Sequence, residues 1–298
     1  MKIIYITILI LISFSTQAQH MKTFTYATKG LDTLKMDVYT PKNIKSTDRL
    51  PVIIWMHGGG FSSGTRNGTD EKNITEFATT RGYIGVSISY RLLRLGADTG
   101  FGCNCPKEDK LFTFNQAVLD FLDATNFIYQ NSTMLQVDTT KIIAAGSSAG
   151  AETILNAVYM KSYFLSNPSD YKNINFAGVI SYSGALLDVN YITDKNAIPT
   201  VLIHGDKDKV VPFGTAPHQN CHPTKSGYLM LDGSNTIAEK LKILKKPYYL
   251  NIITNGNHDA ANMQVEQLES IFDFLSATIF ENEILQITKY IAAKTINH

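Results

Sequence analysis

A serine is a useful nucleophile only where the backbone holds it out of the chain and a base stands beside it. Gly146-Ser147-Ser148-Ala149-Gly150 meets the first condition on paper. The Gly-x-Ser-x-Gly pattern sits between an apolar run, Ile142-Ile143-Ala144-Ala145, and a run with helical character that begins at Ala151. A serine there occupies a sharp strand-to-helix turn, and small neighbours let strand and helix approach closely. The pattern alone is weak, because Gly60-Phe61-Ser62-Ser63-Gly64 fits it too. Polar loop residues follow that copy rather than a helix, so Ser148 is the candidate nucleophile and Ser62 is not.

A second motif, His57-Gly58-Gly59-Gly60-Phe61, follows directly on the apolar run that ends at Met56. Consecutive glycines leave backbone N–H groups unshielded, as an oxyanion-binding loop requires. His57 itself reads as a residue that fixes the loop. Acid and base are expected downstream of the serine, in that order. His204-Gly205-Asp206-Lys207-Asp208 follows an apolar run and offers Asp208 as the acid. Asp206 reads as a turn residue capping its own backbone, and His204 as structural. Asn255-Gly256-Asn257-His258 follows a further run and offers His258 as the base. His218 and His222 have no strand before them and no helix after them in this reading, so neither is a candidate.

The elements that must carry these residues are legible as short apolar runs alternating with helical stretches. Runs at 51–56, 83–89, 141–145, 176–182, 200–203 and 248–253 have the continuous hydrophobicity of strands buried on both faces. Helices are predicted over 73–80, 114–130, 152–161, 234–244 and 263–280, and an antiparallel pair over 23–28 and 34–39 with a turn at Gly30. Such alternation implies an α/β fold: a mostly parallel central sheet covered by helices on both faces. Two loop-like segments, 93–111 and 212–233, leave the strand ends where ligands bind in open α/β sheets.

Composition narrows the partners. The 27 basic and 26 acidic side chains give a net charge of +1, which offers no footprint for nucleic acid or anionic lipid. A small-molecule or polymer-borne substrate is the expected partner. Residues 1–18 combine a basic start, an apolar run and small residues at Thr16 and Ala18, the pattern of a secretory signal peptide. Cleavage after Ala18 would leave residues 19–298 as one catalytic domain, secreted or periplasmic, with no stable membrane insertion. In such a compartment Cys221 is expected to pair with Cys103 or Cys105. A metal site of the Cys-x-Cys pair with His218 and His222 is the weaker alternative, since its spacing matches no standard zinc pattern.

Taken together, the His57–Phe61 run, the Gly146–Gly150 turn, the His204-to-Asp208 turn and the Gly256-Asn257-His258 turn resemble, in order, the hormone-sensitive-lipase and bacterial carboxylesterase group of the α/β-hydrolases. The resemblance covers residues 51–280. It implies an α/β-hydrolase fold and ester hydrolysis through Ser148, His258 and Asp208. The oxyanion donors would be the N–H groups of Gly59, Gly60 and Ala149, and no metal or organic cofactor would be needed. The segment between leader and His57 is shorter than the cap of hormone-sensitive-lipase members, which implies a more open site suited to short acyl groups, including those on polysaccharide. Ala151 stands where many relatives carry glycine. The alternatives are another serine hydrolase on this fold, such as a peptidase, thioesterase or polyester depolymerase, and a binding protein that has lost its chemistry.

Overall fold

The computed structural model describes residues 20–167 and 169–293, so the expected signal peptide lies outside the described residues. Nine strands form the central sheet: β1 (His20–Lys29), β2 (Asp32–Thr40), β3 (Leu50–Met56), β4 (Ile84–Ile88), β5 (Val137–Ser147), β6 (Gly178–Tyr182), β8 (Thr200–Gly205), β11 (Tyr248–Thr254) and β12 (Gln286–Ala292). Their order is β1-β2-β4-β3-β5-β6-β8-β11-β12. The β1–β2 and β2–β4 pairings are antiparallel and the remainder parallel. This is the α/β-hydrolase arrangement anticipated from the sequence. The short strands β7 (Ala185–Leu186), β9 (Thr215–Pro217) and β10 (Met230–Gly233) form a separate antiparallel sheet.

Strand alternation divides the core in two. On β3, Val52, Ile54 and Met56 join one apolar cluster while Ile53 and Trp55 join the other. On β5, Ile142 and Ala144 part from Ile143 and Ala145 in the same way. Both faces must therefore be covered, which is why these strands read as unbroken apolar runs. The helices, in chain order, are α1 (Thr69–Thr80), α2 (Lys107–Gln130), α3 (Ser132–Leu135), α4 (Ala149–Tyr159), α5 (Lys161–Phe164), α6 (Ser234–Ile243) and α7 (Leu268–Leu275). Phe114, Phe121, Ile154 and Leu241 bring α2, α4 and α6 onto the first cluster, and Ile74, Phe272 and Leu275 bring α1 and α7 onto the second. Each large side chain so buried contributes on the order of 1.5–3 kcal/mol.

Three sequence expectations need correction, and one strand was not anticipated. Helix α2 begins at Lys107, not at residue 114. Pro106 and the acidic first turn of Glu108 and Asp109 are helix-start signals, but the polar run to Lys110 hides the periodicity. The segment 212–233 is not all loop, since it holds β9 and β10, which are too short to show an alternation. The last helix is α7 alone, framed by a turn before it and a π-helical end at Ser276–Phe280. Finally, β12 had no signal, because as an edge strand it buries little and most of its residues are exposed.

Cys103 and Cys221 form a disulfide with a sequence separation of 118, and Cys105 is free and buried. Gly227 lies against the segment that carries both cysteines. Its N–H donates to the Cys103 carbonyl, and any side chain there would strike the carbonyls of Cys105, Gly102 and Cys103. Among the described residues, no group of three or more His, Cys, Asp or Glu side chains is arranged to hold a metal ion. Because the bridge closes a long loop, Cys103→Ser is expected to cost about 2–5 kcal/mol of stability. A urea midpoint that does not move, with and without reductant, would contradict this.

Candidate active site

The turn after β5 is set by two close approaches. A Cβ on Gly150 would lie 2.1 Å from the Met56 carbonyl oxygen, and one on Gly146 would lie 2.8 Å from the Gly150 carbonyl carbon. Only glycine allows β3, β5 and α4 to meet this tightly. Between them Ser148 is held at φ 50, ψ −122, a conformation that costs a non-glycine residue about 1–3 kcal/mol. Its N–H donates to the Tyr182 carbonyl at 2.8 Å, and its carbonyl accepts the Glu152 N–H at 2.8 Å. Ala149 is the first residue of α4, so its N–H belongs to the unpaired set at a helix N-terminus.

His258 arrives from the turn after β11, where the Asn257 side chain accepts the Asp259 N–H and starts a short 3-10 turn. The Ser148 hydroxyl lies 2.8 Å from His258 Nε2. On the other side of the ring, Nδ1 lies 2.6 Å from Asp208 Oδ2. The turns bearing Asp208 and His258 touch at Gly205, where a Cβ would come within 2.4 Å of the Gly256 and Asn257 carbonyl oxygens. The three residues singled out in the sequence are thus brought into one hydrogen-bonded chain.

Asp208 divides its carboxylate. Oδ1 accepts the N–H groups of Val210 and Val211, while Oδ2 faces His258. Burial pushes this carboxyl toward the neutral form, but hydrogen bonds from His204 and His258, together with their charges, hold it well below the usual carboxylate range. Asp208 is therefore both the turn-capping residue and the partner of His258. The cap expected of Asp206 is not seen, and its buried Oδ1 has no hydrogen-bond partner.

His204 does more than the sequence reading allowed. It is fully buried. Its Nε2 lies 3.1 Å from the Val211 carbonyl oxygen and 3.2 Å from Asp208 Oδ2, and Nδ1 lies 2.8 Å from Ser234 Oγ. A histidine four residues before the acid, at a strand end, was the available signal. His218 also departs from expectation. It follows β9, is buried, and faces Lys110 and Glu152 instead of solvent or the sulfur atoms.

The glycine loop closes the other wall. Gly59 and Gly60 take φ +109 and +60, and a Cβ on Gly58 would lie 3.2 Å from the Ser148 Cβ. His57 stacks on Tyr90 with ring centroids 4.5 Å apart, and the Tyr90 hydroxyl donates to the His57 carbonyl. Burial lowers the pKa of His57, keeping it a neutral part of the wall. Ser62 donates its hydroxyl to the Gly59 carbonyl, so it supports the loop. Above Ser148 lies a cleft of about 650 Å³, where Val210 and Ala261 are the only aliphatic side chains among hydroxyl, amide, imidazole and carboxylate groups. Such an arrangement can take a proton from a serine hydroxyl and pass it to a leaving group.

A pyrethroid hydrolase of Mus musculus is 29% identical over 168 residues, covering 56% of this chain and 26% of that protein. The phenmedipham hydrolase of Pseudarthrobacter oxydans is 32% identical over 123 residues, 41% of this chain and 20% of that protein. The chain thus spans about a quarter or less of the length of such relatives. A thermophilic esterase of Thermogutta terrifontis superposes with a TM-score of 0.64 at 20% identity, over 89% of this chain and 93% of that one, a likeness of fold. Among the described residues no helix is long and apolar enough to cross a membrane. The sequence model of the carboxylesterase family matches residues 13–204, more than half of the chain, and the chain belongs to that family.

Proposed function

We propose that this protein is a serine esterase that hydrolyses carboxylic esters with short acyl chains through a covalent acyl-enzyme. The observation that carries the reading is the chain from Ser148 Oγ through His258 to Asp208, facing an open cleft. His258 takes the Ser148 proton as Oγ attacks the ester carbonyl, and Asp208 holds the ring and stabilises its cation. The N–H groups of Gly59, Gly60 and Ala149 bind the oxyanion that develops. The tetrahedral intermediate expels the alcohol, which leaves with the proton from His258. Water, activated by the same histidine, then attacks the acyl-enzyme and releases the acid. Residues 19–298 are assigned to one catalytic domain.

Short acyl groups fit the lining. A long alkyl chain would gain its binding energy from buried apolar contact, and the open cleft has only two aliphatic side chains, Val210 and Ala261, to surround one. The hydroxyl, amide and carboxylate groups at Thr65, Thr69, Asp70, Asp259 and Asn262 suit a polar alcohol, such as a sugar unit of an acylated polysaccharide. The Cys103–Cys221 disulfide favours a secreted or periplasmic setting.

Hydrolysis of p-nitrophenyl esters from acetate to palmitate tests the reading. The expected kcat/KM is highest at two to four carbons and falls at least about tenfold by ten carbons, since added methylenes find little surface. A specificity constant that climbs with chain length would refute the short-acyl assignment. No turnover of any ester would refute the reaction, leaving a peptidase or a polymer-degrading hydrolase.

A further inference from the structure

Behind the nucleophile lies a second set of ionisable side chains that the proposed reaction does not use. Lys110 of α2 is fully buried, which is rare for lysine unless it is paired. Its Nζ donates to the Gly227 carbonyl at 2.8 Å and to His218 Nδ1 at 3.2 Å. The opposite ring nitrogen of His218 lies 3.5 Å from Glu152 Oε1. Glu152 is 2% exposed, and that oxygen has no hydrogen-bond partner. Three elements therefore send a lysine, a histidine and a glutamate to one buried point.

The position of that point matters. Glu152 occupies the first turn of α4, four residues after Ser148, and its N–H donates to the Ser148 carbonyl. The N-terminus of the same helix presents the Ala149 N–H, and its positive potential is what an oxyanion would use. A charge on Glu152 would draw on the same potential. Resting on the esterase reading above, we propose that Glu152 is a positioning residue for ester hydrolysis: uncharged, it leaves the α4 N-terminus free to stabilise the oxyanion, and ionised, it opposes that charge and slows the reaction.

Its surroundings favour the uncharged form near neutral pH. Burial pushes the carboxyl up to about 8, with Lys110 pulling it down and Asp208 pushing it further up. The groups that face it are Lys110 from α2, His218 from the segment after β9, Asp208 from the turn after β8 and Tyr90 from beyond β4. His258 acts on the cluster through its charge on His218. Burial brings His218 down to about 3, so it stays neutral, and burial lowers Lys110 as well. A negative charge on Glu152 would also favour the His258 cation, but Asp208 already contacts that ring at 2.6 Å. The oxyanion, in contrast, would be held at the same helix end that carries Glu152, with the carboxylate about one helical turn along the chain. At that range, in a medium of intermediate polarity, the repulsion slows the step by roughly tenfold or more.

The test is the pH dependence of kcat and KM on a short p-nitrophenyl ester, from about pH 7 to about pH 9.5. It compares wild type, Glu152→Gln and Lys110→Met, with the Ser148→Ala rate subtracted. Wild-type kcat is expected to fall about tenfold across this range with KM unchanged. Glu152→Gln, normalised to its own rate at pH 7, is expected to stay flat. Lys110→Met removes the cation that favours ionisation, so its fall should move to higher pH. A wild-type rate that does not fall overturns the proposal, as does a fall carried by KM or one that persists in Glu152→Gln. Should Glu152→Gln not fold, a limb unmoved in Lys110→Met overturns it equally. Absence of any Ser148-dependent turnover would instead refute the esterase reading on which the proposal rests.

Discussion

Replacing Ser148 with alanine is expected to lower kcat by about 10⁵–10⁶-fold, because the covalent route is removed and what remains is positioning by the surrounding groups. The hydroxyl removed is the one 2.8 Å from His258 Nε2. KM should change little, since this contact does its work as the bond forms. The fold should persist, because the turn depends on Gly146 and Gly150 and on the Ser148 backbone bonds, none of which the substitution touches. A phosphonylating reagent should label the wild type at Ser148 and leave the variant unlabelled, as read by mass spectrometry of the peptide. Retention of more than about a hundredth of the activity would place the nucleophile elsewhere. Ser62, which matches the same short pattern, offers the control: its hydroxyl is spent on the Gly59 carbonyl, and its loss should cost far less.

Asp208→Asn should cost about 10⁴-fold in kcat, the penalty for fixing the wrong tautomer of the base. An amide at Oδ2 can present N–H to His258 Nδ1, which turns the ring's remaining proton toward Ser148 and removes the acceptor. The same residue supplies an acid-sensitive share of stability. Its folded pKa is depressed below the ordinary 3.8. The stabilisation is therefore fully present above about pH 4 and is lost as pH falls below that toward the depressed value. Urea midpoints measured from pH 6 down to pH 2 should accordingly fall less in Asp208→Asn than in wild type. Equal acid sensitivity in both would contradict the charge state assigned here. Oδ1 also caps the turn through Val210 and Val211, so some neutral-pH stability should be lost as well.

Much of the site could be read from the chain because the chemistry demands local patterns. A serine lifted out of a strand-to-helix turn needs small residues on both sides, and Gly146 and Gly150 meet contacts that no side chain would survive. Bare amides need the run Gly58-Gly59-Gly60, two of which sit at positive φ. Ser148, Asp208 and His258 follow the ends of β5, β8 and β11, with β6 between the first two in the parallel sheet. The central strands were legible for a related reason: burial on two faces leaves no polar alternation to confuse the pattern.

What the tertiary structure alone decided are matters of contact between distant segments. Local sequence cannot say that Cys221 meets Cys103, 118 residues away, and leaves Cys105 buried and free. Nor does Lys110 look like an interior residue until α2 places it against His218 and the Gly227 carbonyl, where its charge can be shared. His204 read as structural and His218 as no candidate, yet one contacts the Asp208 carboxylate and the other faces Glu152 of α4. Edge and miniature strands such as β12 and β9 bury too little to leave a periodic trace. The division has one physical cause: backbone strain and hydrophobic burial act on neighbours in sequence, whereas the pairing of buried polar groups depends on which segments the fold brings together.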